Sequence, residues 1–141
     1  MIWDIFRMAV LTRTFDPLEG PILTVTVCPQ GRDNGVEVPL LMDSGADASS
    51  ISRDVISALS LPPIGKRQTF ASGGNQGETH TFLVDIIVPF DEAPFRFVDV
   101  VVSEFRYQKP SIRGLLGRDI LCKGNFLMGA DHWLKFELAE D

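Results

Sequence analysis

The chain has 141 residues, the span of a single domain, with 45% apolar residues and a net charge of −6. A chain of this size buries roughly two-thirds of its unfolded surface and needs no cross-links to fold. Its 13 Lys and Arg are scattered without a basic run. This excludes nucleic acid as a partner, because phosphate binding needs a clustered cationic surface. The two cysteines, Cys28 and Cys122, have no metal-ligand spacing and form no disulfide framework. They predict two reduced, largely buried thiols and fit a reducing compartment.

The N-terminal stretch is apolar but broken by Asp4 and Arg7, and its longest uninterrupted apolar run covers only positions 8–11. That is too short for a signal peptide or a membrane span, so a cytoplasmic protein without membrane contact is expected. Positions 22–27 (Ile-Leu-Thr-Val-Thr-Val) alternate and are β-branched, which predicts a strand. The turn-rich positions 30–35 should link it as a hairpin to a second strand at 36–42, where Pro39 suggests an edge or an irregularity. Ser52 reads as a helix N-cap with Asp54 in the first turn, and Val55, Ile56 and Leu59 follow at helical spacing until Pro62 and Pro63 end the helix.

Positions 68–81 contain a glycine-rich centre (Ser-Gly-Gly-Asn-Gln-Gly) between Thr and Phe residues and predict a hairpin with a mobile tip. Strands follow at 82–88 and 95–102 around a turn at 89–94, and a last hairpin spans 126–129 and 133–138. A four-residue echo links Arg-Asp-Val-Ile at 53–56 to Arg-Asp-Ile-Leu at 118–121, which would suit two similar halves each ending in a short helix. Short strands dominate, with one or two short helices, so the fold class is mainly β.

Chemistry concentrates in two places. At positions 40–47 (Leu-Leu-Met-Asp-Ser-Gly-Ala-Asp) an apolar strand delivers Asp43 into a tight turn built of Ser44 and Gly45. Such a turn aims backbone N–H groups at the acid, and the glycine lets a substrate backbone approach. About 70 residues further on comes Gly-Leu-Leu-Gly-Arg-Asp-Ile-Leu, positions 114–121. Asp-Ser-Gly alone makes ordinary turns; the pair, with a glycine-rich segment between, is specific.

On these motifs, positions 23–126 of the sequence resemble the retropepsin-like aspartic protease family. The resemblance implies a single-domain acid protease barrel, active as a symmetric homodimer. It implies Asp43 as the catalytic acid, with Ser44 bracing the loop against the partner's copy. Gly45 and Asp47 would bind the substrate main chain, and Arg118 would reach back to Asp47 behind the loop. Ser72, Gly73 and Gly74 would sit in a flap over an extended polypeptide substrate. No metal or organic cofactor is implied. Residues 1–20 read as an N-terminal extension that contacts the dimer, and 21–138 as the protease domain. The extension, the long turn at 89–94 and the C-terminal hairpin depart from the viral pattern, the hairpin resembling cellular and bacterial members.

One Asp-Ser-Gly per chain is informative, because aspartic proteolysis needs two carboxylates sharing a proton. A two-fold dimer supplies the second. The remaining candidates have simpler readings. Asp119 starts a helix and reads as dipole stabilisation; Asp91, Glu92, Asp99 and Glu104 read as solvated. His80 and His132 have no cysteine partner for zinc, and Ser44 lacks the surroundings of a serine nucleophile. Trp3 and Trp133 suit core or interface packing. The alternative function is a peptide-binding or dimerisation module that has kept this fold and lost turnover. A transport barrel is a third reading, for which the sequence holds no ligand signature.

Overall fold

A computed structural model describes residues 9–70, 76–106 and 109–138. In chain order the elements are β1 (Ala9–Thr14), β2 (Ile22–Pro29), β3 (Val36–Met42), β4 (Ser50–Ser52), α1 (Arg53–Ala58), β5 (Gly65–Phe70), β6 (Gln76–Val88), β7 (Phe95–Phe105), β8 (Gly114–Leu116), α2 (Arg118–Leu121), β9 (Asn125–Gly129) and β10 (Trp133–Leu138). The larger sheet runs β2-β3-β8-β4-β7-β6-β5, and an additional β2–β6 pairing closes it into a barrel. Closure satisfies backbone groups that an open sheet would leave at its edges. The smaller sheet, β1-β10-β9, is antiparallel throughout.

The strands form where apolar and β-branched residues alternate, and the alternation decides which face is buried. In β3, Val38, Leu40 and Met42 are buried while Val36, Pro39 and Leu41 are only partly covered. With Val25, Val27, Ile51, Val84, Ile86, Val102, Leu116 and Ile120 they fill the barrel, and Leu11, Leu134 and Phe136 carry the same core under the smaller sheet. Pro39 sits inside a paired strand, opposite Thr24. Its missing N–H costs no ladder bond on the β8 side, since β8 pairs only with Leu41 and Met42, while its carbonyl accepts from Arg113 N at 2.7 Å.

Both copies of the sequence echo are a short strand running into a short helix, β4 into α1 and β8 into α2, and the two strands lie antiparallel, Ser50 opposite Leu115. They meet unusually closely at Gly114, where a Cβ would stand 2.0 Å from the Ser50 carbonyl oxygen, so only glycine fits. Ser52 does occupy the N-cap position of α1, but its hydroxyl bonds to the Asp54 carboxylate instead of capping the helix. Cys28 is buried, and burial pushes its thiol pKa up; Cys122 is exposed, against the expectation of two buried thiols, because it caps the outer end of α2.

Asp91, Asp99 and Glu104, expected in solvent, are engaged by protein partners. Asp91 meets Arg13 and accepts from Thr12 N at 3.2 Å, Asp99 accepts from Gln30 Nε2 at 2.6 Å, and Glu104 pairs with Arg53 and Arg106 at 3.0 and 2.8 Å. Their partners come from segments distant in sequence or from neighbouring loops, which local composition does not announce.

Candidate active site

Asp43 leaves the end of β3, where that strand lies parallel to β8 with Leu41 beside Leu115 and Met42 beside Leu116. The strand pairing carries on one residue further, because Asp43 N donates to the Leu116 carbonyl at 2.9 Å. The chain then turns: Ala46 N donates to the Asp43 carbonyl at 3.1 Å, and Gly45 N donates to Asp43 Oδ1 at 2.8 Å. One carboxylate oxygen is thereby held by the main chain. Among the described residues, no donor reaches Oδ2. Asp43 is half-buried, whereas Ser44, Gly45 and Asp47 are exposed. The arrangement leaves a fixed carboxylate at an open surface, able to take or give a proton.

The loop is gripped from behind by three consecutive residues. Gly117 N donates to Ser49 Oγ at 3.0 Å, and a Cβ at Gly117 would meet the Ala48 carbonyl carbon at 2.7 Å, so the close approach requires glycine. Arg118 N donates to the Ala46 carbonyl at 2.8 Å, and Arg118 Nη1 donates to the Ser44 carbonyl at 2.8 Å. Arg118 thus supports the loop through main-chain carbonyls, and among the described residues no ion pair joins it to Asp47, the partner expected from the sequence. Asp119 accepts from Ser49 N at 3.0 Å and from Ser49 Oγ at 2.7 Å. Its carboxylate is therefore a clamp on the candidate site's loop, which corrects the reading of a helix-dipole residue. A four-residue helix has little dipole to offer, while two charge-assisted bonds to a fully buried serine fix a position.

Ser49 and Asp119 are the members of this constellation that the sequence alone did not bring together. The signal was the Asp after Gly-Arg, but its partner lies 70 positions away. Ser72, Gly73 and Gly74 lie outside the described residues, as does Trp3. The hairpin expected to carry the first three is formed by β5 and β6, with Lys66 opposite His80 and Gln68 opposite Glu78. Trp133 lies half-exposed over Gly129. Among the described residues, no cluster of three or more histidine, cysteine or carboxylate side chains could hold a metal ion, and no helix is long and apolar enough to cross a membrane.

Asp43 is thus an anchored acid at the end of one of two parallel strands, with a glycine-arginine turn closing behind it. The sequence pattern of the aspartyl protease family matches residues 25–120, more than half of the chain, and the chain belongs to that family. The fold is retropepsin-like: the structure matches that of a retropepsin-like aspartic protease from Rickettsia conorii with a TM-score of 0.68 at 12% identity, over 95% of this chain and 94% of that one. It is also similar, with a TM-score of 0.47 and 23% identity over 78% of this chain and 92% of that one, to the EIAV protease solved with the inhibitor HBY-793. No curated protein matches the chain. Family and fold together define a peptidase type of hydrolase.

Proposed function

We propose that the chain is a cytoplasmic aspartic endopeptidase that works as a homodimer, each copy supplying one Asp43. The observation that carries this reading is the single anchored carboxylate, with Oδ1 fixed by Gly45 N and the loop exposed around it. Two such carboxylates ~4 Å apart at an effective dielectric of ~20 repel by about 4 kcal/mol. Such a pair shares one proton between its two carboxyls. The ionised Asp43 takes a proton from water as the water oxygen bonds to the peptide carbonyl carbon; the protonated one gives its proton to the carbonyl oxygen. In the second half the tetrahedral centre collapses, the C–N bond breaks, and the leaving nitrogen receives a proton from the acid.

In this reading Ser44 braces the two loops against each other, and Gly45 and Asp47 bind the main chain of an extended substrate. Arg118 holds the loop from behind, and Ser72, Gly73 and Gly74 belong to a flap at the end of the β5–β6 hairpin. Peptide added as a strand between flap and floor would bind mostly through backbone bonds.

The strand edges support a second copy as partner. The outer edge of β1 is covered, since Asp91 N donates to the Val10 carbonyl at 2.8 Å and Thr12 N donates to Asp91. The outer strand β5 carries Lys66 and Arg67. The outer strand β9 reads Asn-Phe-Leu-Met-Gly, has no charge, and exposes Leu127 by 48% and Met128 by 56%. Among the described residues no strand pairs with its outer edge, and uncharged open edges are those that pair with another chain.

Sedimentation of the purified protein under assay conditions should show a dimer, with casein or a peptide library cleaved at mildly acid pH. Asp43→Asn should stay dimeric and lose cleavage by about 10³-fold or more. A dimer that binds peptides without cleaving them anywhere from pH 3 to pH 8 would instead establish the binding module.

A further inference from the structure

Away from the Asp43 loop, the ends of β4 and β7 and the chain leading into β8 enclose a cleft. Ser52 and Phe105 are registered neighbours at the ends of their strands, and Ser52 N donates to the Arg113 carbonyl at 2.8 Å, so three segments converge there. The cleft holds about 830 Å³, the size of a small-molecule site. None of positions 43–47 is among the described residues that line it. Asp43 N bonds to the Leu116 carbonyl at one end of β8, whereas Arg113 precedes the other end, so the cleft and the candidate active site are separate.

Cations scattered along the sequence meet in this cleft. The chain carries a net charge of −6, yet Arg53, Arg106, Lys109 and Arg113 line the cleft against only Glu104 and Asp54, an excess of two positive charges. Glu104 organises them. Its side chain is 12% exposed, with Oε1 3.0 Å from Arg53 Nη2 and Oε2 2.8 Å from Arg106 Nε. A covered carboxylate paired with two cations orients both guanidinium groups while neutralising a single charge. Each guanidinium has five N–H donors, so most of them stay available to another anion. Arg53 and Arg106 are 81% and 65% exposed, and an anion reaches them from solvent without movement of the chain. Arg113 is held by Asp54 at 3.3 Å and by the carbonyls of Pro110 and Ile112 at 3.1 and 3.2 Å. Lys109 has no ion pair among the described residues; its Nζ meets the Glu19 carbonyl at 3.4 Å.

Two excess charges match a dianion better than a single carboxylate, and the planar forks of arginine match phosphate oxygens. A phosphate monoester carries about −1.5 to −2 near neutral pH. Phe105 and Ile112 give the cleft an apolar part suited to an organic body. We infer that the cleft is a binding site for a small organic phosphate, with Arg53, Arg106 and Lys109 on the phosphoryl group and Phe105 beside the organic part. The inference is independent of the protease reading, since it needs neither a second copy nor a working Asp43.

Isothermal titration calorimetry of the full chain with phenyl phosphate tests it, and saturable binding is expected. Benzoate offers one charge on the same ring and should bind about fivefold or more weakly, the worth of one further charge at ~4 Å in water. Inorganic phosphate, which lacks the ring, should also bind more weakly. Arg106→Gln should weaken phenyl phosphate by about tenfold or more, through lost charge-assisted bonds. Lys109→Gln should weaken it by about fivefold. Arg106→Gln leaves Glu104 paired with Arg53, and Lys109→Gln breaks no ion pair, so both proteins should keep the melting temperature of the wild type without ligand. Lys123→Gln removes an exposed cation outside the cleft and should leave affinity unchanged. Four results would each overturn the site: no saturable binding, benzoate or inorganic phosphate binding as tightly as phenyl phosphate, wild-type affinity in Arg106→Gln, or equal losses in Lys123→Gln and Arg106→Gln. A penta-glutamate peptide that binds more tightly than phenyl phosphate would overturn it in favour of an acidic protein segment.

Discussion

Asp43 and Asp85 are both aspartates held by backbone amides, and their surroundings differ. Asp85 sits at the irregularity between β6 and β7, with a side chain only 2% exposed. It accepts from Gly31 N and Asp99 N, both at 3.0 Å, and from Arg96 Nε at 2.9 Å. Arg96 also meets Asp33 at 3.1 Å and the Arg32 carbonyl, so the β2–β3 turn is tied to the β6–β7 pair. Asp43 has one donor on Oδ1 and an open surface. A carboxylate whose oxygens are all engaged is a structural lock; one with an oxygen left over can do chemistry. The difference lies in what surrounds each acid, not in the residue type.

The largest expected effect breaks that comparison directly. Truncating Asp85 to Ala leaves Arg96 and two backbone amides without their acceptor and should cost about 3–5 kcal/mol in urea unfolding. Asp43→Ala should change stability by no more than about 0.5 kcal/mol while removing cleavage. Equal destabilisation by the two substitutions would mean that Asp43 is structural too.

A smaller effect sharpens the contrast, because Asp119 stands between the two cases. It is a locked carboxylate whose lock serves the candidate site. Asp119→Ala should lose about 1–3 kcal/mol, the cost of leaving Ser49 N and Oγ unmet. Unlike Asp85→Ala, it should also lower kcat per folded molecule, measured by active-site titration with a tight peptide-mimic inhibitor.

The smallest effect is in pH. Burial raises the pKa of Asp85, but the Gly31 and Asp99 amides and the Arg96 guanidinium outweigh it and hold the carboxyl below the usual aspartate range. A depressed folded-state pKa contributes stability that is complete above the ordinary value of about 3.9 and fades as pH falls through the lower, folded value. Melting temperature followed from pH 7 to pH 2.5 should therefore fall at the acid end in the wild type. The fall should be shallower in Asp85→Asn, which has no charge there to lose. An identical acid edge in both proteins would exclude Asp85 as its source.

Much of this molecule was legible in the chain itself. Strand alternation at 22–27, the limits of β3, the C-terminal hairpin across positions 130–132 and the Asp-Ser-Gly turn are all local patterns, and local patterns survive being read one segment at a time. Asp43 stood out as a candidate because strand, acid and glycine are adjacent in sequence. Asp119 was misread because its partner Ser49 is remote, and Asp85 went unnoticed because nothing in Val-Asp-Ile-Ile marks a buried acid.

What the sequence by itself determined, then, was the β class, the strand that delivers the acid, and the two motifs that make the loop and its backing. The tertiary structure alone decided that Gly117, Arg118 and Asp119 each grip a different point of that loop. It also decided that Asp85 is locked by Gly31, Asp99 and Arg96. The physical reason is the same in each case: hydrogen bonds and burial across the barrel depend on register between strands far apart in the chain, and register is set by packing of the whole core.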